Sequence, residues 1–191
     1  MITGILLAAG AGKRYGGGKL KQVLPNGLAI CVASARNLAA AVDQVIAVVR
    51  PGDDATRALL EAESNIKIVV CERAEEGMGH SLAAAVAAAH AKSNWVIALG
   101  DMPLIKPDTI RAVAEAIQQG ASFAMPQHQG QRGHPVGIRS EFRNDLLALE
   151  GDAGARIIIE SHNSELQFVE VEDPGILVDV DTVADYQKLS H

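Results

Sequence analysis

The sequence predicts a three-layer α/β fold, in which helices cover both faces of a doubly wound, mostly parallel sheet. Apolar runs of strand length alternate along the chain with segments of helical character. These runs are continuously apolar, which is typical of strands buried on both faces. Regular alternation of strands and helices favours parallel pairing, because each helix returns the chain to the same edge of the sheet. With no repeat or low-complexity tract, a single domain spanning residues 1–191 is expected.

The strands are predicted from runs of Ala, Val, Ile and Leu. They comprise residues 2–9, 45–49, 66–70, 95–99, 122–125, 167–171 and 176–178, and residues 135–138 form a further short apolar run. Residues 127–134 are polar and contain glycine. We expect them to form a loop too long for a tight hairpin turn, of the kind that often lines the site of an α/β enzyme.

The helices are predicted between the strands, with support from capping residues. They comprise residues 30–41, 54–63, 80–92, 107–119, 140–149 and 153–161, with a closing helix from Thr182. Pro107 suits a first helical turn, and Asp108 interacts favourably with the helix dipole. Gly120 is a suitable residue to end the same helix.

Composition narrows the classes of function. A net charge of −6 argues against non-specific binding to nucleic acids or acidic membranes. Cys31 and Cys71 do not form a CxxC motif, so we expect buried thiols in a reducing compartment. The chain has no apolar stretch of membrane-spanning length and no basic segment ahead of its first apolar run. A cytoplasmic protein is therefore expected.

The first strand leads into a loop suited to holding phosphate. Residues 5–19 read ILLAAGAGKRYGGGK, so five glycines and three cations follow an apolar run. Glycines allow backbone N–H groups to approach phosphate oxygens, and the cations offset their charge. The Walker pattern is excluded because Leu20 follows Lys19. The dinucleotide pattern GxGxxG begins at Gly10 but has Tyr15 at its third glycine, so a nicotinamide-dependent oxidoreductase stays open as an alternative.

Acidic residues near strand ends are candidate metal ligands. Asp101 directly follows a predicted strand, where a carboxylate can hold Mg²⁺ across phosphate oxygens. Asp179 and Asp181 would share one face if their segment is extended. Other roles are open: Asp101 suits a turn before Pro103, and Asp181 suits an N-cap of the last helix. Of the later pair, Asp179 is the preferred ligand.

Six segments, in order, resemble the MobA-like nucleotidyltransferases. Residues 7–19 resemble the loop LAAGxGxRxGxxK of that family. The other matching segments are GMxxSL at 77–82, DMP at 101–103, GHPV at 133–136, GDxGAR at 151–156 and DxDT at 179–182. The resemblance covers almost the whole chain and implies the Rossmann-like fold of nucleotide-diphospho-sugar transferases. Residues 24–30 and 71–76 depart from the family pattern, and the second departure leaves base selectivity open.

The resemblance also implies roles for individual residues. Catalysis would involve Arg14, Lys19 and Asp101, and the metal ligands would be Asp101, Asp179 and Asp181. The nucleotide would be bound by Leu7, Ala8, Ala9, Gly10, Ala11, Gly12, Arg14, Lys19, Gly77, Met78 and Ser81. The second substrate would be bound by His134, Pro135, Asp152 and Arg156. His80 is expected to be a cap or surface residue, with substrate contact as the alternative.

Within that family, the Ala8–Ala9 pair is similar to the molybdenum cofactor cytidylyltransferase (MocA-like) branch, since the guanylyl branch usually has glycine at the second position. The resemblance implies Mg²⁺ as cofactor, CTP as the nucleoside triphosphate, a molybdopterin-type acceptor and pyrophosphate release. A molybdenum hydroxylase would receive the product. The alternatives are a guanylyl or sugar-phosphate nucleotidyltransferase of the same fold, the oxidoreductase named above, and a non-catalytic cofactor carrier.

Overall fold

The computed structural model describes residues 1–12 and 15–189, and its centre is an eight-stranded sheet. The strands are β1 (Ile2–Leu7), β2 (Gln44–Val49), β3 (Ile66–Val70), β4 (Asn94–Leu99), β5 (Phe123–His128), β6 (Gln131–Arg132), β7 (Val136–Ile138) and β8 (Leu166–Glu170). The helices are α1 (Ile30–Ala39), α2 (Asp54–Glu61), α3 (Met78–Ala88), α4 (Pro107–Gln118), α5 (Arg143–Leu147), α6 (Arg156–Ser161) and α7 (Val183–Leu189).

The sheet is mostly parallel, as predicted. Its order is β3-β2-β1-β4-β7-β5-β6, and β8 pairs with β5. Pairing is parallel from β3 through β4 and between β5 and β8, whereas β7 is antiparallel to both its neighbours. The chain runs from β1 through β2 to β3 and then crosses to β4 on the other side of β1. The ends of β1 and β4 therefore form the switch point at which ligands bind in such sheets.

Two apolar cores cover the two faces of the sheet, which explains the continuously apolar strands. In β1, Ile2 and Leu6 belong to the core that packs against α1 and α4, whereas Ile5 belongs to the core that packs against α3, α5 and α6. Side chains alternate between faces along a strand, so β1 contributes to both cores. The prediction of a doubly wound sheet with flanking helices is confirmed.

The predicted loop at residues 127–134 is wrong in its first half. β5 extends to His128 and pairs with β6 through a tight hairpin. Gln129 and Gly130 form the turn with φ of 49° and 78°. Positive φ at both central residues suits a two-residue hairpin turn, and glycine adopts it without steric cost. The length of the polar stretch concealed a turn that needs only two of its residues.

The predicted strand at residues 176–178 is also wrong. A short 3₁₀ helix, Pro174–Leu177, takes its place, and an extended segment outside the sheet follows it. The buried carboxylate of Asp173 accepts a hydrogen bond from the Gly175 N–H, at 3.0 Å, and so forms the turn that opens this 3₁₀ helix. Within residues 1–12 and 15–189, none of the helices has the length and apolar character that a membrane crossing needs.

Candidate active site

A cleft of about 790 Å³ opens at the carboxyl ends of β1 to β4. Most of its walls come from four segments: the loop after β1, the start of α3, and the turns after β2 and β4. The lining residues are Leu7, Ala9, Gly10, Ala11, Gly12, Lys19, Leu20, Arg50, Ala74, Glu75, Gly77, Met78, Ser81, Leu99, Asp101, Asp152 and Asp181. Segments from both halves of the chain therefore meet at one place, because parallel strands end at the same edge of the sheet.

The floor of the cleft is the close contact between the ends of β1 and β4. The Gly100 N–H donates to the Leu7 carbonyl at 2.9 Å, and a Cβ at Gly100 would lie 3.3 Å from the Cβ of Ala8. On the other side, the Ala8 N–H donates to the Val48 carbonyl at 2.9 Å. These bonds extend the sheet one residue beyond β1, and the glycine-rich loop then leaves from the switch point.

Lys19 extends from that loop to two carboxylates that are distant in sequence. It begins a 3₁₀ helix, Lys19–Lys21, and its Nζ lies 2.5 Å from Asp101 Oδ2 and 2.9 Å from Asp181 Oδ1. Burial opposes the positive charge of the ammonium group. The hydrogen bonds and negative charges of the two aspartates outweigh that effect and raise the pKa of Lys19 above its ordinary value of 10.5. The side chain is therefore fully charged at neutral pH.

Hydrogen bonds from two elements, α1 and the segment that carries Asp181, fix the turn that holds Asp101. Its backbone carbonyl accepts from the Val180 N–H at 3.0 Å, which joins the turn after β4 to the segment that carries Asp181. Ser34 on α1 donates to the Gly100 carbonyl at 3.1 Å, and Asn37 donates to the Pro103 carbonyl at 3.0 Å. The carboxylate is therefore held on a well-supported turn at the rim of the cleft.

The donor set fits a divalent cation that shares its coordination with a substrate. Asp101 Oδ1 is buried and accepts no hydrogen bond within the described part of the chain, which leaves one oxygen available for a ligand. No group of three or more His, Cys, Asp or Glu residues suited to a metal occurs in residues 1–12 and 15–189. One or two carboxylates completed by phosphate oxygens and water are the usual environment of Mg²⁺.

Of the two later aspartates, Asp181 is the one that the structure brings into the cleft. The preferred ligand from sequence, Asp179, is exposed and does not line the cleft. Val180 between them is fully buried. The difference arises because Lys19 and the Asp101 turn contact this segment at residues 180 and 181.

Asp173 fixes the start of the segment that carries Asp181, and sequence reasoning missed this role of Asp173. Its buried carboxylate accepts hydrogen bonds from the Lys106 N–H at 2.9 Å, the Thr109 hydroxyl at 2.7 Å and the Gly175 N–H at 3.0 Å. It thereby satisfies unpaired donors at the start of α4 and ties residues 173–175 to that helix. The position of Lys106 before Pro107 marks a helix start, but no local signal indicates that the capping group comes from residue 173.

The start of α3 packs against residues 150–153, which brings two of the family-like segments together. A Cβ at Gly77 would overlap the backbone of Gly151, and one at Gly79 would lie 2.7 Å from the Ala153 carbonyl oxygen. His80 is buried, and its Nε2 accepts from the Gly151 N–H at 3.2 Å. His80 therefore holds the loop beside Asp152, a structural role that differs from the expected cap or substrate contact.

The residues expected at the second substrate lie in different environments. Asp152 lines the cleft, whereas His134, Pro135 and Arg156 do not. Burial lowers the pKa of the His134 imidazole below its ordinary value of 6.5, against the opposing effect of the Asp101 and Asp179 charges. His134 is therefore neutral at pH 7, and its Nδ1 is buried with no hydrogen-bond partner among the residues described.

Arg156 lies on the outer surface of α6. Its side chain is 87% exposed and its Nε donates to Glu160 Oε1 at 2.6 Å. This hydrogen bond, with the negative charge of Glu160, raises the pKa of the guanidinium group. The structure thus places Arg156 in an ion pair within one helix rather than at the cleft.

Most of the residues expected to bind nucleotide line the cleft, and five residues that sequence reasoning missed join them. Ala8 is buried beneath the loop, and Arg14 lies outside the described residues. The additional lining residues with no assigned role from sequence are Leu20, Arg50, Ala74, Glu75 and Leu99. The positions of Arg50 after β2 and of Ala74 and Glu75 after β3 could have indicated these three, because those strands end at the same edge as β1.

The fold and the site together define the class of protein. A glycine-rich loop at the switch point, with a lysine and two carboxylates in contact beside it, can bind a triphosphate with its divalent ion and stabilise charge during transfer. These are the parts of a nucleotidyltransferase.

The comparison with known proteins agrees with that class. Residues 4–166 match the MobA-like NTP transferase domain, and the chain belongs to that family. It is 32% identical to nicotine blue oxidoreductase of Paenarthrobacter nicotinovorans over 98% of this chain and 96% of that protein. It is 29% identical to the purine catabolism protein PucB of Bacillus subtilis (strain 168), over 97% of this chain and 94% of that protein.

The solved structure of Rv0371c from Mycobacterium tuberculosis H37Rv superposes on the chain with a TM-score of 0.87. It is 29% identical, and the match covers 99% of this chain and 96% of that one. A second structure of Rv0371c is a complex with manganese, with a TM-score of 0.81, 29% identity, and 99% of this chain and 97% of that one covered. The same overall fold is therefore established by experiment in a related chain.

Proposed function

We propose that the protein transfers CMP from CTP to the phosphate of a molybdopterin-type acceptor and releases pyrophosphate. The observation that carries this proposal is the contact of Lys19 with Asp101 and Asp181 beside the glycine-rich loop. A cation and two carboxylates at one rim are suited to a nucleotide triphosphate that carries Mg²⁺. No protein nucleophile is required, since positioning and charge stabilisation are sufficient for phosphoryl chemistry of this kind.

In the proposed reaction an oxygen of the acceptor phosphate attacks the α-phosphorus in line, and the bond from that phosphorus to the pyrophosphate oxygen breaks. Backbone N–H groups of residues 10–12 would bind phosphate oxygens, and Lys19 would stabilise the negative charge that develops on them. Arg14 is proposed to assist. The carboxylates of Asp101 and Asp181 would hold Mg²⁺, with Asp179 as a further candidate, and the ion would supply charge neutralisation across the phosphates.

The finer parts of the proposal rest on the sequence resemblance. The Ala8–Ala9 pair favours CTP, and the segments around His134 and Asp152 favour a molybdopterin acceptor. We further propose a single domain, a cytoplasmic location and delivery of the product to a molybdenum hydroxylase. His134, Pro135 and Arg156 remain proposed acceptor residues, which would require a rearrangement or a second surface beside the cleft, since none of them lines it.

Pyrophosphate release with each of the four nucleoside triphosphates, with and without molybdopterin, tests the proposal. We expect release only with the acceptor present and fastest with CTP. Asp101→Asn should reduce turnover by at least 100-fold, the scale on which a preorganised charge acts, while the far-UV circular dichroism stays unchanged. Release with GTP but not CTP would instead favour a guanylyltransferase, and no release with any triphosphate would refute nucleotidyl transfer.

One relative favours a second candidate function. Because the chain is 32% identical to a protein named nicotine blue oxidoreductase, reduction by a nicotinamide cofactor is the alternative. That activity predicts an acidic side chain after β2 to bind the ribose. The available candidate, Asp53, instead accepts hydrogen bonds from the Thr56 N–H at 3.3 Å and the Thr56 hydroxyl at 2.9 Å. Oxidation of NADH or NADPH with a quinone-like dye would support the alternative.

A further inference from the structure

Arg50 is a cationic side chain of the cleft that the proposed transfer does not use. It directly follows β2 and lines the cleft. Its Nε is buried and has no hydrogen-bond partner among the described residues. The nearby carboxylate of Asp53 lies 3.9 Å from that nitrogen, which is beyond hydrogen-bond distance, and already accepts from Thr56. A buried donor of this kind is costly unless a ligand satisfies it.

The sheet register separates Arg50 from Asp101 across the cleft. Leu7 pairs with Val48 on one side and with Leu99 on the other. Arg50 and Asp101 each lie two residues beyond that row, so one strand separates them. Neighbouring strands are about 4.8 Å apart, which gives about 10 Å between the two backbone positions. The phosphates and their metal ion belong at the Asp101 end, and the Arg50 end is left for the base.

The surroundings of Arg50 also suit a base rather than a phosphate. Ala74, Glu75 and Met78 also line the cleft and follow β3, the strand paired with β2, and they supply small, carboxylate and apolar surfaces. A carboxylate repels a phosphate but accepts a hydrogen bond from an exocyclic amino group. A guanidinium group is a planar donor that pairs with two neighbouring acceptors.

We propose that Arg50 is a specificity-determining residue that donates two hydrogen bonds to adjacent acceptors on the nucleotide base. This inference rests on the proposed function, in which the base is cytosine with O2 and N3 as those acceptors. Uracil carries a donor, N3–H, at the second position and would face the guanidinium with one acceptor only. Arg50 would therefore select CTP over UTP, because an unpaired buried donor rejects the wrong ligand.

The test is equilibrium binding of CTP, UTP, GTP and ATP to the intact protein with Mn²⁺, by titration calorimetry. The wild type is expected to bind CTP about tenfold or more tightly than UTP, the range of a bidentate base contact. Arg50→Lys keeps the positive charge but not the planar pair of donors, and Arg50→Met removes the charge and the donors. The two variants should each reduce the CTP-to-UTP preference to about threefold or less, since the bidentate contact is lost. Arg57→Met is the matched control, because Arg57 is exposed on α2, pairs with Glu61 and should leave the preference unchanged.

Three outcomes would overturn the inference. The first is an Arg50→Lys variant that keeps the preference for CTP over UTP, which would show that the positive charge alone is sufficient for it. The second is an equal loss of affinity for all four nucleotides in both variants, which would place Arg50 on the phosphates. The third is a wild type that does not distinguish CTP from UTP. None of these three outcomes contradicts nucleotidyl transfer, because that reaction is tested separately by pyrophosphate release. A wild type that binds no nucleotide would refute both.

Discussion

Replacing Lys19 by Met removes the ammonium group from between two carboxylates. The side chains involved are only 10%, 19% and 29% exposed for Lys19, Asp101 and Asp181. Exposed ion pairs contribute about 0–1 kcal/mol, and breaking a buried pair costs about 3–5 kcal/mol. This partly buried arrangement lies between those limits, so we expect a loss of about 2 kcal/mol. For a chain of this size that corresponds to a decrease in Tm of about 4–8 °C.

The same substitution should increase the response to a divalent ion in the absence of nucleotide. In the wild type, an ion that binds Asp101 and Asp181 must displace the Lys19 ammonium. In Lys19→Met that competition is gone, and an ion at about 100 times its Kd stabilises the protein by about 2.7 kcal/mol. Mn²⁺ should therefore restore most of the lost stability. Turnover should still fall at least 100-fold, because the charge that Lys19 supplies to the triphosphate is missing.

Differential scanning fluorimetry with and without Mn²⁺ measures both effects. Lys21→Met is the control, since Lys21 is in the same 3₁₀ helix, its side chain is 40% exposed, and its Nζ lies 3.9 Å from Asp53. We expect that variant to melt within about 2 °C of the wild type, as an exposed pair should. If Mn²⁺ shifts the wild type and Lys19→Met by the same amount, Lys19 does not compete with the ion, and the reasoning about this site is wrong.

Two further predictions concern buried groups outside the cleft. Asp173→Ala should lower the free energy of unfolding by about 3 kcal/mol, because it leaves the Lys106 N–H and the Thr109 hydroxyl without their acceptor. Urea denaturation measures this, and a loss below about 1 kcal/mol would contradict it. Burial raises the pKa of the Cys31 thiol from 9.0 to about 11, so its contribution to stability is complete below pH 9 and is lost as the pH rises towards 11. That loss amounts to about 3 kcal/mol for two pKa units. Cys31→Ala should show a correspondingly smaller decrease in stability over the same pH range, and an unchanged pH dependence would disprove the assignment.

The sequence by itself predicted the alternation of strands and helices and the loop after β1. Continuous apolar runs indicate burial on both faces, and glycines with cations after a strand predict a phosphate site, so both predictions need only local information. The same is true of Asp101, whose position after β4 places it at the edge where parallel strands end. Local patterns also explain the hairpin in retrospect, but the two residues of its turn, Gln129 and Gly130, are inconspicuous within a longer polar stretch.

The tertiary structure decided which side chains meet. Lys19 contacts Asp181 rather than Asp179 because the Val180 N–H binds the Asp101 carbonyl and sets the register of that segment. Asp173 caps a helix that begins far from it in sequence, and Arg50 enters the cleft because β2 lies next to β1. Such contacts depend on strand order and on long-range hydrogen bonds, which no local pattern encodes. Composition and spacing therefore indicate the kind of chemistry at this site, whereas the packing of distant segments determines which residues can perform it.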